Sequence, residues 1–362
     1  MASFDVIILG GGPAGYVCAI RSAQLGLQVA VIEREALGGT CVLWGCIPAK
    51  SLLESASVAN KVRHAAEHGV TTGALSFDFG PAMKRSRGVS TQNSKGVEFL
   101  LKKNKVTYIR GNGRVTAANT VEVKDADGKV ESHTCTKALV IATGSRVRGL
   151  PQVGLELNKS TVLSSDDVLV LDGAPKTMAV VGAGAVGCEF ADVFNAFGTE
   201  VTLIEVASRV LPIEDADASA ELARAFKKRG IESVTGAKIT AAKVEANSVT
   251  LSFEAGGQPR VLTVDRVLVA AGRAPNTDGF GLEALGVKKS DRGFIAINDK
   301  FETSVKGVYA IGDVAGNQML AHKGSREGHV LADALGGLHP HPVNYGNVPS
   351  RSEEHTSELQ SQ

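Results

Sequence analysis

The chain has 362 residues, 43% of them hydrophobic, and a formal net charge of +1. That length suits two to three domains with sizeable cores, and the near-neutral balance points to no nucleic acid and no anionic membrane surface as partner. Five cysteines are an odd set, which argues against a secreted disulfide scaffold. No stretch reaches the roughly 18 apolar residues that a membrane span requires. The first apolar run is broken by Asp5 and then by glycines, so no targeting peptide is expected and a cytoplasmic location is the default.

Residues 4–9 form a short apolar run that reads as a strand and leads into Gly10-Gly11-Gly12-Pro13-Ala14-Gly15. A helical pattern follows to Gln24, then Gly26, then a second apolar run at 28–32 ending on Glu33. This is the strand, turn, helix and strand setting that a G-x-G-x-x-G match needs. Gly10, Gly12 and Gly15 allow a tight turn, close approach of a pyrophosphate and close helix–strand packing. The helix N-terminus supplies amide groups for phosphate, and Glu33 stands where a carboxylate binds the adenosine ribose hydroxyls.

Next comes Gly38-Gly39-Thr40-Cys41-Val42-Leu43-Trp44-Gly45-Cys46-Ile47-Pro48-Ala49-Lys50. Two cysteines five apart, just after a dinucleotide turn, are a candidate redox-active pair; elsewhere they would read as two buried small hydrophobes. On an ideal helix, a rise of about 1.5 Å per residue puts them about 7.5 Å apart along the axis. That exceeds the ~7 Å Cα separation that a disulfide can bridge. A disulfide between them therefore demands a distorted first helical turn, and such strain makes the bond easier to reduce.

The dinucleotide pattern then repeats. Residues 178–181 lead into Gly182-Ala183-Gly184-Ala185-Val186-Gly187, and a strand at 201–204 ends at Glu205. Adding 172 to Gly10, Gly12, Gly15, Gly26 and Glu33 gives Gly182, Gly184, Gly187, Gly198 and Glu205. Two dinucleotide folds follow, with a doubly wound, three-layer α/β class. An acid at 205 favours NAD over NADP, because a 2′-phosphate would meet a carboxylate; the plainer alternative is an exposed charge after a strand.

The chain divides near Pro151 and Pro275, giving 1–150 as the first part of one fold, 151–275 as the second fold and 276–350 as a returning segment. The acid cluster Glu214-Asp215-Ala216-Asp217 reads as a helix start, and no histidine spacing suggests a metal site. Cys18, Cys135 and Cys188 read as core residues. Gly312-Asp313, after the apolar run 307–311, reads as a turn.

With these motifs together the sequence resembles the flavin-dependent pyridine nucleotide-disulfide oxidoreductases, most closely their dihydrolipoyl dehydrogenase branch. The resemblance runs from Asp5 to about Ser350. It is carried by Gly39-Thr40-Cys41 through Lys50, the stretch 96–104, Ala142-Thr143-Gly144-Ser145, Gly272-Arg273-Ala274-Pro275-Asn276-Thr277, Gly312-Asp313 and Met319-Leu320-Ala321-His322-Lys323. Leu43 and Trp44 depart from the usual Asn and Val, and Gly324-Ser325-Arg326 from a more usual Ala-Glu-Glu. The first departure bears on packing beside the cysteines, and neither removes a reacting atom.

The resemblance implies that the first fold binds FAD and the second NAD. Asp313 would accept hydrogen bonds from the ribityl hydroxyls, and Lys50 would reach the flavin N5 region. Thr40, Gly113, Thr143, Gly144, Ser145, Met319, Leu320, Ala321 and His322 would be further flavin-side contacts, and Glu189, Ile239 and Gly272 contacts on the NAD side. The implied reaction begins with a dihydrolipoamide thiolate attacking Cys41, which leaves Cys46 as a thiolate against the flavin. Electrons then pass through FAD to NAD⁺. The substrate would be dihydrolipoamide on an acyltransferase or a glycine-cleavage carrier protein, and the full-length parent a homodimer.

The resemblance also implies a His–Glu base in a C-terminal dimerisation domain, and that domain is expected to be missing here. Residues 351–362, with His355 among them, are polar and resemble the conceptual translation of a sequencing adapter rather than family sequence. Two alternatives stay open: a sister reductase of mercuric or glutathione type, and a FAD- and NAD-binding module without turnover.

Overall fold

The computed structural model describes residues 2–349. Ser350 and the expectations for the 351–362 tail, including His355, lie outside the described residues. The chain sorts into two units, Met1–Leu43 with Ser90–Arg146 and Ala274–Gln362, and Trp44–Val89 with Val147–Arg273. Residues 44–89 thus group with the second unit, where the helix Cys46–Arg63 packs on the helix Ala185–Ala196 through Leu52, Ala56, Phe190 and Phe194.

The first unit is built on a seven-stranded sheet. Its parallel part runs Thr107–Arg110, Val29–Glu33, Ala2–Leu9, Val130–Ile141 and Val308–Ala310 in spatial order. Ile7 and Leu9 pack on one face with Ile32 and Ile141, and Val6 and Ile8 on the other with Val31 and Val140. Both faces are covered, which is why these strands read as continuous apolar runs. Each fully buried Val, Leu or Ile contributes about 1.5–3 kcal/mol. The long strand Val130–Ile141 changes partner along its length. Its first half pairs antiparallel with Thr120–Lys124, and its last residues pair with Val308–Ala310, which brings the returning segment into the first sheet.

The second unit repeats the plan with a five-stranded parallel sheet in the order Glu232–Val234, Glu200–Ile204, Thr177–Val181, Arg266–Val269, Val162–Leu163. An antiparallel sheet of Ala237–Val244, Val249–Ala255 and Gln258–Val264 adds Leu251 and Phe253 to the core under one face. The 172-residue offset holds in three dimensions. The helices after the two glycine turns are Pro13–Gln24 and Ala185–Ala196. Gly10 donates to Ile32 O at 2.9 Å and Gly182 to Ile204 O at 2.8 Å. Asp215 caps the helix Ala216–Lys228 by accepting from the amides of Asp217 and Ala218, as the acid cluster suggested.

Candidate functional site

Each glycine turn is shaped by contacts that exclude a side chain. Gly10 has φ +115°, and a Cβ there would stand 2.2 Å from Ala142 O; Gly182 has φ +104°, with Ala270 O at 2.6 Å. A Cβ on Gly15 would meet Gly10 O at 2.0 Å, and one on Gly187 would meet Gly182 O at 1.9 Å. The helices therefore pack directly on the turns. Neither helix start is closed by a side-chain cap, at Gly12 or at Gly184. Open amides at the positive end of a helix dipole, with no Cβ in the way, fit a pyrophosphate.

The two carboxylates at the strand ends are held alike. Glu33 accepts from Gly11 N at 2.8 Å and Glu35 N at 3.0 Å; Glu205 accepts from Ala183 N at 2.6 Å and Ala207 N at 2.8 Å. Glu205 is only 8% exposed, so it is not a solvated charge after a strand. Both acids are turned towards the glycine turn of their own unit, with spare oxygen lone pairs for ribose hydroxyls.

In the first unit, Ser145 donates to Asp313 Oδ2 at 2.6 Å, joining two residues 168 apart in the chain. Asn276 closes the Thr143–Gly144 turn: its side-chain amide donates to Thr143 O at 3.0 Å, its main-chain amide donates to Gly144 O at 2.9 Å, and its own carbonyl accepts from the Thr143 hydroxyl at 2.6 Å. Met319 and Leu320 lead into the helix Ala321–Leu335, on whose first turn Ala321 and His322 stand. The His322 ring lies 2.8 Å from Pro349 O. Gly113 is packed tightly, its missing Cβ lying where Leu9 Cδ1 would be 2.3 Å away.

Behind Asp313 is a buried charge cluster to which the sequence reading assigned no role. Lys323 and Glu327 are both 0% exposed and pair at 3.2 Å. Lys323 also donates to Gly312 O at 3.1 Å and Gly316 O at 2.9 Å, while Glu327 accepts from Gly312 N at 2.7 Å and from the Tyr345 hydroxyl at 2.8 Å. Burial pushes the Glu327 carboxyl up, against the pull of Lys323 and the two donors. Removing either partner would strand a buried charge, so the pair fixes the turn that presents Asp313.

The cysteine pair occupies an irregular turn. Thr40–Trp44 is a π-helical turn, and a regular helix starts afresh at Cys46 and runs to Arg63. The departure from ideal helix that a Cys41–Cys46 disulfide demands is therefore present in the backbone. Such turns are frequent at functional sites. Both cysteines are half-buried, Cys46 at the first position of an 18-residue helix where the dipole favours a thiolate. By contrast Cys18, Cys135 and Cys188 are buried, and burial pushes their thiols up to about 12, 11 and 12. Lys50, one turn into the helix, is paired with Glu189. Arg87 lies over the Trp44 ring at 4.6 Å. In the second unit, Ile239 lies in the strand Ala237–Val244, and Gly272 has φ +114° just beyond the strand Arg266–Val269. Among the described residues no cluster of His, Cys, Asp and Glu could hold a metal ion, and no helix is long and apolar enough to cross a membrane.

Residues 4–328 match the family described as pyridine nucleotide-disulphide oxidoreductase. The chain is 40% identical to a dihydrolipoyl dehydrogenase of Bacillus subtilis, over 96% of its own length and 74% of that relative. It is 44% identical to one from Corynebacterium glutamicum, over 92% and 71%. Among solved structures it resembles LpdA from Mycobacterium tuberculosis with a TM-score of 0.86 at 27% identity, covering 95% of this chain and 74% of that one. A second likeness, to the flavoprotein disulfide reductase RclA of Escherichia coli, has a TM-score of 0.80 at 26% identity over 92% and 71% of the two chains. The chain belongs to the pyridine nucleotide-disulphide oxidoreductase family.

Proposed function

We propose that this FAD- and NAD-dependent oxidoreductase is a dihydrolipoyl dehydrogenase, passing electrons from dihydrolipoamide through Cys41 and Cys46 to the flavin and on to NAD⁺. The observation that carries the reading is the cysteine pair in a π-turn at a helix N-terminus, placed directly after a dinucleotide turn. Relatives bearing that name at 40–44% identity support the choice of substrate.

Cys41 is the sulfur attacked by the substrate thiolate, forming a mixed disulfide and releasing Cys46. The helix starting at Cys46 stabilises that thiolate. Bound FAD supplies the two-electron relay from the thiol pair to nicotinamide. The uncapped turn at Gly12 and Glu33 would hold its adenosine half; Asp313, oriented by Ser145, would take the ribityl hydroxyls. Lys50, paired with Glu189, would supply a positive charge to the reduced ring. Thr40, Gly113, Thr143, Gly144, Met319, Leu320, Ala321 and His322 would complete the flavin side. Gly182, Gly184, Gly187, Glu205, Ile239 and Gly272 would serve NAD. The carrier of the lipoyl group is proposed to be an acyltransferase or a glycine-cleavage protein, acting on a homodimer in the cytoplasm.

The test is an anaerobic titration of the purified chain with dihydrolipoamide and then NAD⁺, following the flavin spectrum. A long-wavelength band that grows with dihydrolipoamide and bleaches with NAD⁺ is expected. It should be absent from Cys46→Ser, whereas Cys41→Ser should show a permanent thiolate band without added reductant. A flavin spectrum that does not change under excess dihydrolipoamide would contradict the assignment.

A further inference from the structure

We propose that Ser86, Ser90 and Ser94 are positioning residues of the Cys41–Cys46 redox turn, an assignment that rests on the function proposed above. The three lie four residues apart along the helix Phe79–Lys103, on one face. Ser86 and Ser90 are 0% exposed and Ser94 is 8% exposed. Buried serines inside a helix commonly bond back to the carbonyl four residues earlier. These instead donate to carbonyls of another segment. Ser94 donates to Leu37 O at 2.6 Å, Ser90 to Val42 O, and Ser86 to Pro48 O at 2.8 Å. The acceptors lie before, between and after the two cysteines.

The placement has a physical consequence. A π-turn is intrinsically less favourable than regular helix and persists only where its surroundings hold it. A donor aimed at a buried carbonyl fixes the direction of that peptide plane, and withdrawing it leaves the acceptor unsatisfied. Ser90 acts at Val42, inside the turn, so it restrains the backbone that carries Cys41 through both redox states. Two thiols kept in position re-form their disulfide with a higher effective concentration than two on a loose loop. The line of serines therefore favours the disulfide over the dithiol.

The exchange that reads this out is balanced. Two glutathione thiols reduce the Cys41–Cys46 bond, giving two cysteine thiols and one glutathione disulfide, with two electrons and two protons entering the pair. The flavin-loaded full chain is equilibrated across glutathione buffers, quenched in acid and alkylated, and Cys41 and Cys46 labelling is counted by peptide mass spectrometry. Ser90→Ala should reach half-reduction at a ratio of [GSH]² to [GSSG] roughly three- to tenfold lower than the parent chain. Ser86→Ala and Ser94→Ala should shift it less in the same direction. Ser90→Thr, which keeps the hydroxyl, should restore the parent value. So should Ser55→Ala, whose hydroxyl donates to Ser51 O within its own helix.

A parent-like ratio for Ser90→Ala overturns the proposal, including when its melting temperature falls, because that pattern marks a purely structural serine. Should Ser90→Ala fail to fold, parent-like ratios for both Ser86→Ala and Ser94→Ala overturn it equally. A parent chain in which Cys41 and Cys46 form no reversible pair defeats the functional reading as well. An intact pair that ignores the serines defeats the positioning role alone.

Discussion

The two glycine turns of this chain are copies at one offset, yet they are covered differently. In the first unit, Ala14 is 8% exposed; its counterpart in the second, Val186, is 43% exposed. Three glycines explain the first. A Cβ on Gly312 would stand 2.9 Å from Ala14 Cβ, one on Gly324 3.2 Å from it, and one on Gly328 2.4 Å from Ala14 O. The helix Ala321–Leu335 and the turn before it thus lie directly on the first glycine-turn helix. Gly39 closes the turn from another side, its Cβ position falling 2.6 Å from Gly12 Cα, whereas Gly184 has nothing within 4 Å. One fold motif serves two regimes. A roofed turn suits a cofactor that stays through many turnovers, and an open one suits a cofactor that must leave after each hydride transfer.

The largest effect expected from this contrast comes from the third glycine of each turn. Gly15→Ala and Gly187→Ala press a methyl onto a carbonyl oxygen at 2.0 and 1.9 Å respectively. Overpacking of that kind costs about 1–3 kcal/mol or more. Gly15→Ala should be isolated without flavin. Gly187→Ala should keep flavin and bind NAD⁺ roughly tenfold or more weakly, the equivalent of 1.4 kcal/mol, as read by calorimetry. Equal flavin loss in both would erase the distinction between the turns.

The strand-end carboxylates sharpen it at a smaller scale. Glu205 is buried and Glu33 only partly so, although each serves two amides. Stranding buried donors costs about 1–3 kcal/mol. Glu205→Ala should therefore lower the urea midpoint more than Glu33→Ala does, and the reverse order would count against the burial argument.

The smallest expected effect is a pH dependence confined to the first unit. His133, 6% exposed, has no hydrogen-bond partner for either ring nitrogen among the described residues, and Glu131 Oε2 is 4.0 Å away. Burial holds its pKa below the ordinary 6.5, outweighing the upward pull of Glu131. The unfolded chain then binds the proton more readily, so this contribution to stability is complete above pH 6.5 and is lost as pH falls below it. Thermal melts between pH 7.5 and pH 5.5, taken as roughly one unit to either side of that value, should show a shallower decline for His133→Leu than for the parent chain.

Much of this architecture was legible because it is periodic or repeated. The helices Pro13–Gln24 and Ala185–Ala196 differ by the same 172 residues as the glycines that start them. Apolar strands bounded by glycine announced both parallel sheets. What was not legible depends on contacts that local pattern does not encode. Lys323 and Glu327, four apart on a helix, look like a surface ion pair, and only the fold shows them without exposure behind Asp313. Ser86, Ser90 and Ser94 look like the polar face of an amphipathic helix, yet their hydroxyls reach the cysteine turn. Asn276 sits in a quoted motif, but its part in closing the Thr143–Gly144 turn requires two segments 133 residues apart to meet. The cysteine spacing announced a distorted helix without saying which distortion, and the π-turn Thr40–Trp44 supplies it.

The most direct test of the contrast between the turns is cofactor retention. The full chain is loaded with FAD and NAD⁺ together, dialysed exhaustively, denatured, and its released nucleotides are quantified. The account predicts a near-stoichiometric flavin content with nicotinamide nucleotide washed out. Nicotinamide retained as firmly as flavin, or both lost at the same rate, would contradict it.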